Sequence, residues 1–456
     1  MRVEGNEGVE EKAGLKERRC RFCRTPLQQS FVDLGVSPLS NSYLKPEDLN
    51  RMELFYPLHA YVCSNCFLVQ LEEMESPKEI FEDYAYFSSY SRSWLEHARA
   101  YAKMAQERLA LNSSSRVVEI GSNDGYLLRF FKEMGIGVLG IEPAANVAEA
   151  ARELGVETVV RFFGRDLAEE IAAAGKGADL LIGNNVLAHI PDVNGLMQGL
   201  KVLLNPGGVI NMEFPHLLSL IEENQFDTIY HEHYSYFSLS TAALIFSAHK
   251  MELFDAELMN THGGSLRIYA CHAEELAEER HVEPGGAEAS STSGATGSTC
   301  QESGFAKGGF RRSGRLKEML EREEKLGFKD LEFYRSFAIR VEQVKRETLK
   351  FLIKLKEEGH SAAAYGAPAK GNTLLNYCGI GPELIEYTVD ISPHKQGKFL
   401  PGSRIPIFGP EKIEETKPEY LIILPWNLQE EIEEQMAGIR QWGGKFVTFI
   451  PEVRVW

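Results

Sequence analysis

Two long stretches of this chain, 116–213 and 361–450, repeat one unit: a short apolar run, a glycine-bearing turn, and a segment with apolar residues at helical spacing. That alternation constrains the fold more than any other feature. A strand reaches a parallel neighbour only by a crossover, so the chain must form parallel sheets with helices on both faces. In the first stretch the spacing predicts strands at 116–120, 137–141, 178–182 and 208–213, with helices at 126–134 and 145–154 and a further helix ahead of it at 94–111. In the second it predicts strands at 361–365, 384–390, 420–424 and 445–450, with a helix from Asn372. The fold class is α/β: a Rossmann-like core and a second, smaller Rossmann-like domain. No short-period repeat points to a solenoid.

The remaining segments set the boundaries. Residues 18–75 hold short alternating runs around two cysteine pairs and read as a small domain of strands and turns. The core follows at 76–273. Residues 284–314 shift to Gly, Ser, Ala and Thr, and read as a flexible low-complexity insertion. A helical connection within 316–358 leads into the last domain, giving a C-terminal unit of 315–456.

Cys20 and Cys23 form one C-x-x-C pair, and Cys63 and Cys66 form another. Two such pairs can close a four-thiolate shell around zinc. Sulfur at all four positions leaves no open site for water, so the zinc is expected to be structural. Cys271, Cys300 and Cys378 are expected to be free thiols. The rival reading is four unrelated core cysteines, which the repeated spacing disfavours.

Glu119, Gly121, Asn123, Asp124 and Gly125 lie where the first core strand turns into its helix. The glycines let the backbone fold tightly and approach a ligand. The acidic-x-Gly-x-x-x-Gly form resembles the turn with which class I methyltransferases hold the methionine part of S-adenosylmethionine. Glu142, at the end of the next strand, is placed for ribose hydroxyls. Asn184 and Asn185 end a later strand, where methyl donor and acceptor meet in such folds. A nicotinamide-binding fold is the rival, but its G-x-G-x-x-G fingerprint is absent.

Tyr230, His231, Glu232 and His233 crowd titratable groups into one short segment. The spacing does not put two histidines on one helical face, so a zinc protease site is disfavoured. General acid–base work suits histidine, whose ordinary pKa lies near neutrality; a hydrogen-bonded lid is the plainer alternative. In the last domain Gly366, Lys370, Gly371 and Asn372 open a helix whose amides favour phosphate. Asp390 ends the following strand, in place for a ribose or base, and Lys398 adds to a local basic patch with Lys370 and Lys395. A plain glycine turn is the alternative there. Lone histidines such as His97 and His249 suggest no chemistry.

Bulk charge narrows the partners. Lys plus Arg number 49 against 66 Asp plus Glu, a net charge of -17, so nucleic acid and anionic membranes are disfavoured. No apolar run is long enough to span a bilayer, and residues 1–19 lack the apolar stretch of a signal peptide. A cytoplasmic enzyme acting on a small molecule, as a monomer or small homo-oligomer, is the expectation.

Taken in order, these features resemble the sugar C-methyltransferases that act on nucleotide-linked 4-keto sugars, especially the C-3-methylating enzymes of deoxysugar pathways. The matching stretches are 20–23, 63–66, 84–90, 119–125, 188–192, 230–236, 261–267 and 364–371. The insertion at 284–314 departs from the pattern. The resemblance implies that Tyr86, His189, Tyr230, Glu232 and His233 line the active site, and that a nucleoside diphosphate sits between the last two domains. Carbon methylation then needs an enolate. His233 is the expected base, with Tyr230 its rival; Glu232 would orient the pair; His189 or Tyr86 would donate to the enolate oxygen. O- or N-methylation of another small metabolite, and a non-catalytic cofactor-binding module, stay open as alternatives.

Overall fold

The computed structural model describes residues 17–78, 88–90, 92–277 and 309–456. Three sheets organise them. The N-terminal sheet is antiparallel, with β1 (Gln29–Ser37), β2 (Tyr56–Val62) and β3 (Val69–Leu71) in sequence order. Its fourth strand comes from the core.

The core sheet has the order β10-β11-β8-β7-β4-β5-β6. Its parallel part is β4 (Arg116–Ile120), β5 (Gly137–Ile141), β6 (Thr158–Val159), β7 (Ala178–Asn184) and β8 (Leu204–Pro215). Between β8 and β10, β9 (Ser235–Tyr236) leaves the core and pairs with β3, Val69 opposite Tyr236. β10 (Met251–Met259) and β11 (Ser265–His272) then close the far edge, β11 running antiparallel to β8. The predicted core strands are all present. β6, β10 and β11 were not anticipated: every residue of β11 is buried, so it has no inside–outside alternation to read, and it carries an arginine.

The C-terminal sheet has the order β14-β13-β12-β15-β16-β17, from β12 (Ala362–Tyr365), β13 (Thr388–Val389), β14 (Ile407–Phe408), β15 (Tyr420–Ile423), β16 (Lys445–Thr448) and β17 (Arg454–Val455). All its pairs are parallel except β16 with β17. β12 has β13 on one side and β15 on the other, so the strand order reverses at β12, where ligands favour such sheets. The expected strand 384–390 is reduced to β13, because Leu384 and Ile385 close a turn on the Gly381 carbonyl. The helix expected from Asn372 starts three residues sooner, as Ala369–Cys378.

A helix, Leu331–Glu357, ties the ends of the molecule together. Asp330 caps it by accepting from the Glu332 amide. Its buried stripe includes Tyr334, Phe337, Val341, Val344, Leu352 and Leu355, and Phe337 stacks on Phe31 of β1 at 4.7 Å. Burying one such side chain contributes about 1.5–3 kcal/mol. The expected insertion 284–314 falls outside the described residues except for 309–314. There the reading as flexible is corrected: Phe310 stacks on Phe254 at 4.7 Å, bridges Leu276, and Ser313 caps the helix Gly314–Leu326. Apolar contact orders this end of a polar segment. Cys300 also lies outside the described residues. Cys271 and Cys378 are buried free thiols. Among the described residues no helix is long and apolar enough to cross a membrane.

Candidate active site

The carboxyl ends of β4, β5 and β7 carry three predicted groups to one place. The turn after β4 needs glycine at Gly121: φ is +64°, and a Cβ would lie 2.6 Å from Val186 Cγ2. Gly125 has φ +75°, and a Cβ there would meet Ala151 and Val156 at 3.3 Å. Asn123 also takes a positive φ, and its amide donates to Glu142 Oε2 at 3.0 Å. The Ala144 amide donates to Glu142 Oε1 at 2.9 Å, which fixes that carboxylate at the end of β5. Glu119 is fully buried beside Tyr126, and desolvation holds its pKa well above the carboxylate range. Asn184 donates to the Tyr126 hydroxyl at 3.4 Å, and the Asn185 amide donates to the Glu213 carbonyl at 2.7 Å. Over the turn, the Ser88 amide donates to Asn123 Oδ1 and the Ser89 amide to Asp124 Oδ2.

This pocket fits a polar cofactor. Ser122 Oγ, Asp124 Oδ1 and Asn184 Oδ1 are buried with no hydrogen-bond partner among the described residues. Buried polar atoms are seldom left so, and S-adenosylmethionine has amino, carboxylate and ribose groups to satisfy them.

The segment after helix Leu217–Glu222 builds the second cluster. His233 Nδ1 lies 3.0 Å from the Thr228 carbonyl, so it carries the proton, and Nε2 accepts from the Tyr230 hydroxyl at 3.0 Å. The two rings lie 4.1 Å apart, tilted by 34°, and His189 meets His233 edge-on at 4.7 Å. Burial pushes His189 down to about 4, with its link to the Glu232 backbone carbonyl opposing, so it is neutral. Burial pushes the Glu232 carboxyl up to about 7, against the hydrogen bond it accepts from Asn41 Nδ2 at 2.6 Å. Tyr86 lies outside the described residues. His231 is turned away, onto the Pro57 carbonyl at 3.1 Å.

The C-terminal domain presents its switch point to the same segment. Thr373 Oγ1 donates to the Ile229 carbonyl at 3.1 Å. Gly366 (φ +90°) packs on Pro425 too closely for a side chain, and a Cβ on Gly371 would press on Leu424 at 3.0 Å. Asn372 is fully buried, and neither amide atom has a partner among the described residues. Lys370 Nζ donates to Asn427 Oδ1 at 2.6 Å and lies 4.3 Å from the centre of the Trp426 ring. Burial lowers its pKa to about 8, opposed by Asp227, whose own pKa burial raises to about 6. Trp426 Nε1 donates to Asp227 at 2.7 Å. Asp390 is held within the domain: it accepts from the Ala367 and Ser392 amides and from Lys395, at 2.8, 2.9 and 3.2 Å. It shapes the turn after β12. Lys398 is half-buried in the loop beyond β13.

Several residues at the site were not anticipated. Glu213, at the end of β8, is fully buried. Desolvation would raise its pKa, but His97, Arg267 (2.7 Å) and Thr261 (2.7 Å) together hold it near about 2. His97, which suggested no chemistry in the sequence, stacks on Trp94 at 5.0 Å. A charged residue ending an apolar strand was the available signal for Glu213.

The four predicted zinc ligands come together. Cys20 and Cys66 sulfurs are 3.6 Å apart, Cys23 and Cys63 3.5 Å, and all four lie within 4.8 Å of one another. Sulfurs about 2.3 Å from a tetrahedral zinc sit about 3.8 Å apart, so the set fits the metal closely. Gln70 Nε2 donates to Cys20 Sγ at 3.2 Å, the second-layer contact such sites need. Gln70 lies in β3, and pairs with Ser235 of β9.

Known proteins repeat this order of parts. A "Putative zinc binding domain" model matches residues 20–81, a methyltransferase domain model 94–252, and a C-methyltransferase C-terminal domain model 297–451. The C-methyltransferase NovU of Streptomyces niveus is 36% identical over 96% of this chain and 96% of its own. The ubiquinone biosynthesis O-methyltransferase of Azorhizobium caulinodans is 29% identical over only 21% of this chain and 38% of its own. The CcbJ methyltransferase of Streptomyces caelestis overlays on 39% of this chain and 89% of its own, at 13% identity and a TM-score of 0.30, too slight a likeness to carry an argument. A match to NovU running the length of both proteins, across a zinc module, a cofactor-binding core and a C-terminal domain, places the chain in the family of S-adenosylmethionine-dependent C-methyltransferases.

Proposed function

We propose that the acceptor is a nucleotide-linked 4-keto deoxysugar, methylated at the carbon beside its ketone through an enolate. The observation that carries this reading is the Tyr230–His233 pair. A carbon nucleophile has to be made by removing a proton, and this pair packs on His189, just past the end of β7, with the acceptor lone pair already oriented. His233 Nε2 is the expected final home of that proton. If Tyr230 moves aside, the proton passes directly from carbon to Nε2. If Tyr230 stays, its oxygen takes the carbon's proton as its own hydroxyl proton passes to Nε2.

His189 is neutral and spends an N–H on the Glu232 carbonyl, so of the two donors expected for the enolate oxygen Tyr86 is favoured. Glu232 is bonded to Asn41 rather than to the dyad, and acts on it as a nearby carboxyl group. S-adenosylmethionine supplies an electrophilic methyl group. The unpartnered Asn372 amide, and the helix start at Ala369 beside Lys370, suit a nucleoside diphosphate.

The test is hydrogen exchange. Incubated in deuterated water with a nucleoside-diphosphate 4-keto deoxysugar and S-adenosylhomocysteine, the enzyme should exchange the proton beside the ketone. His233→Asn should lower that exchange by at least about a hundredfold, the scale of general-base catalysis. Exchange within threefold of wild type in the variant would refute the base assignment. Neither exchange nor binding with any such sugar would refute the substrate class.

A further inference from the structure

The β1–β2 connection leaves the zinc module and crosses to the C-terminal domain. Leu44 and Phe399 exchange both backbone hydrogen bonds, at 3.0 and 2.8 Å. The Tyr43 hydroxyl donates to the Ala367 carbonyl at 2.7 Å, inside the turn after β12. The Gly402 amide donates to Glu53 at 2.6 Å, and Arg404 donates to the Leu49 carbonyl at 2.9 Å. On its way this strap passes Glu232, which is buried, and Asn41 Nδ2 donates to Glu232 Oε1 at 2.6 Å.

We infer that Asn41 is a positioning residue: the strap delivers its amide to Glu232 and thereby favours the ionised form of that buried carboxyl beside the Tyr230–His233 pair. The role of Glu232 in the reaction rests on the function proposed above; the effect of Asn41 on its titration does not. An amide N–H aimed at a carboxylate oxygen favours the charged form, and no cation is bonded to Glu232 among the described residues. The groups around it otherwise oppose the charge or leave it alone. Tyr43 and Tyr234 face it as neutral phenols, His189 approaches its backbone as a neutral ring, and His233 and Tyr230 belong to its own segment. Lys395 is committed to Asp390 and the Ala367 carbonyl, and Arg21 lies against Tyr234. Among the described residues Asn41 is thus the contact that counters desolvation.

The test reads Glu232 directly, then through the reaction. Infrared pH titration of the full-length enzyme should show a protonated-carboxyl band, assigned to Glu232 by its absence in Glu232→Gln. Its midpoint should rise by about one pH unit in Asn41→Ala, the size of one lost hydrogen bond to a charged group. In Asn41→Asp it should rise further, since a second carboxylate resists ionisation of the first. An unchanged midpoint in both variants overturns the inference. A raised midpoint supports it, and a lowered one overturns it. If the pH profile of deuterium exchange into the 4-keto sugar moves by the same amount, Glu232 also serves the reaction. If that profile stays put while the band moves, Asn41 keeps its role and the part proposed for Glu232 falls.

Discussion

Gly121→Ala should injure the enzyme in a way that can be taken apart. Two penalties meet at this position. A side chain held at φ +64° costs about 1–2 kcal/mol, from the clash of Cβ with its own backbone. A methyl group 2.6 Å from Val186 Cγ2 overfills a packed site, at about 1–3 kcal/mol. Together they come to about 2–5 kcal/mol. If the turn keeps its shape, the loss appears as lower stability. If it shifts, the loss appears as weaker cofactor binding, and about 2 kcal/mol is roughly thirtyfold in affinity. Urea unfolding and calorimetric titration with S-adenosylhomocysteine would together capture it. Val186→Ala in the same chain should return the overlap portion and leave the backbone portion, with Val186→Ala alone as the fourth corner of the cycle. Gly121→Ala within about 0.5 kcal/mol of wild type in both assays would refute the reasoning, as would a cycle with no coupling between the two sites.

Other outcomes follow from the same geometry. Arg267→Met leaves Glu213 buried without its cation and should cost about 3–5 kcal/mol near neutral pH. The folded Glu213 pKa, about 2, lies below its ordinary 4.5, so its stabilisation is fully present above about pH 4.5 and is lost as pH falls toward 2. The gap between wild type and variant in urea unfolding should narrow across that acid window, and a constant gap would refute it. The purified protein should hold one zinc on four thiolates with no exchangeable water, by metal analysis and X-ray absorption. Chelation should lower stability and expose the Gln70 and Tyr236 amides to hydrogen exchange together; loss of activity with stability intact would contradict a structural metal. Phe337→Ala should cost about 3–5 kcal/mol in urea unfolding, since it empties a buried stack on Phe31.

Local rules made some of this site readable in the sequence. Two pairs of cysteines at one spacing, and a glycine turn between a strand and a helix, are written within a few residues of each other. The four sulfurs gather as that spacing predicts, whereas the amides that hold the Glu142 carboxylate appear only in the folded turn. Tyr230 and His233 were readable as a cluster, but their direction was not: the Thr228 carbonyl that sets the tautomer is invisible until the turn is folded. Long-range partners were illegible for the same reason. Asn41 reaches Glu232 across most of the first half of the chain, and Glu213 gathers His97, Thr261 and Arg267 from three separate elements. Asp390 is a further case: its position after β13 reads as a ribose-binding acid, but the Ala367 and Ser392 amides that fix its carboxylate are set only by the fold.

The pairing of β3 with β9 sets the order in which this protein can be made. The zinc ligands are all present once Cys66 has left the ribosome, and the metal can close its shell while the core is still unsynthesised. The sheet beneath it cannot be completed then, because its last strand, Ser235–Tyr236, belongs to a segment made far later. Through that interval β3 presents an open edge, the kind of surface on which nascent chains pair wrongly with one another. The same strand that seals this edge also carries the residues following His233, so the N-terminal module is finished in the same step that anchors the dyad.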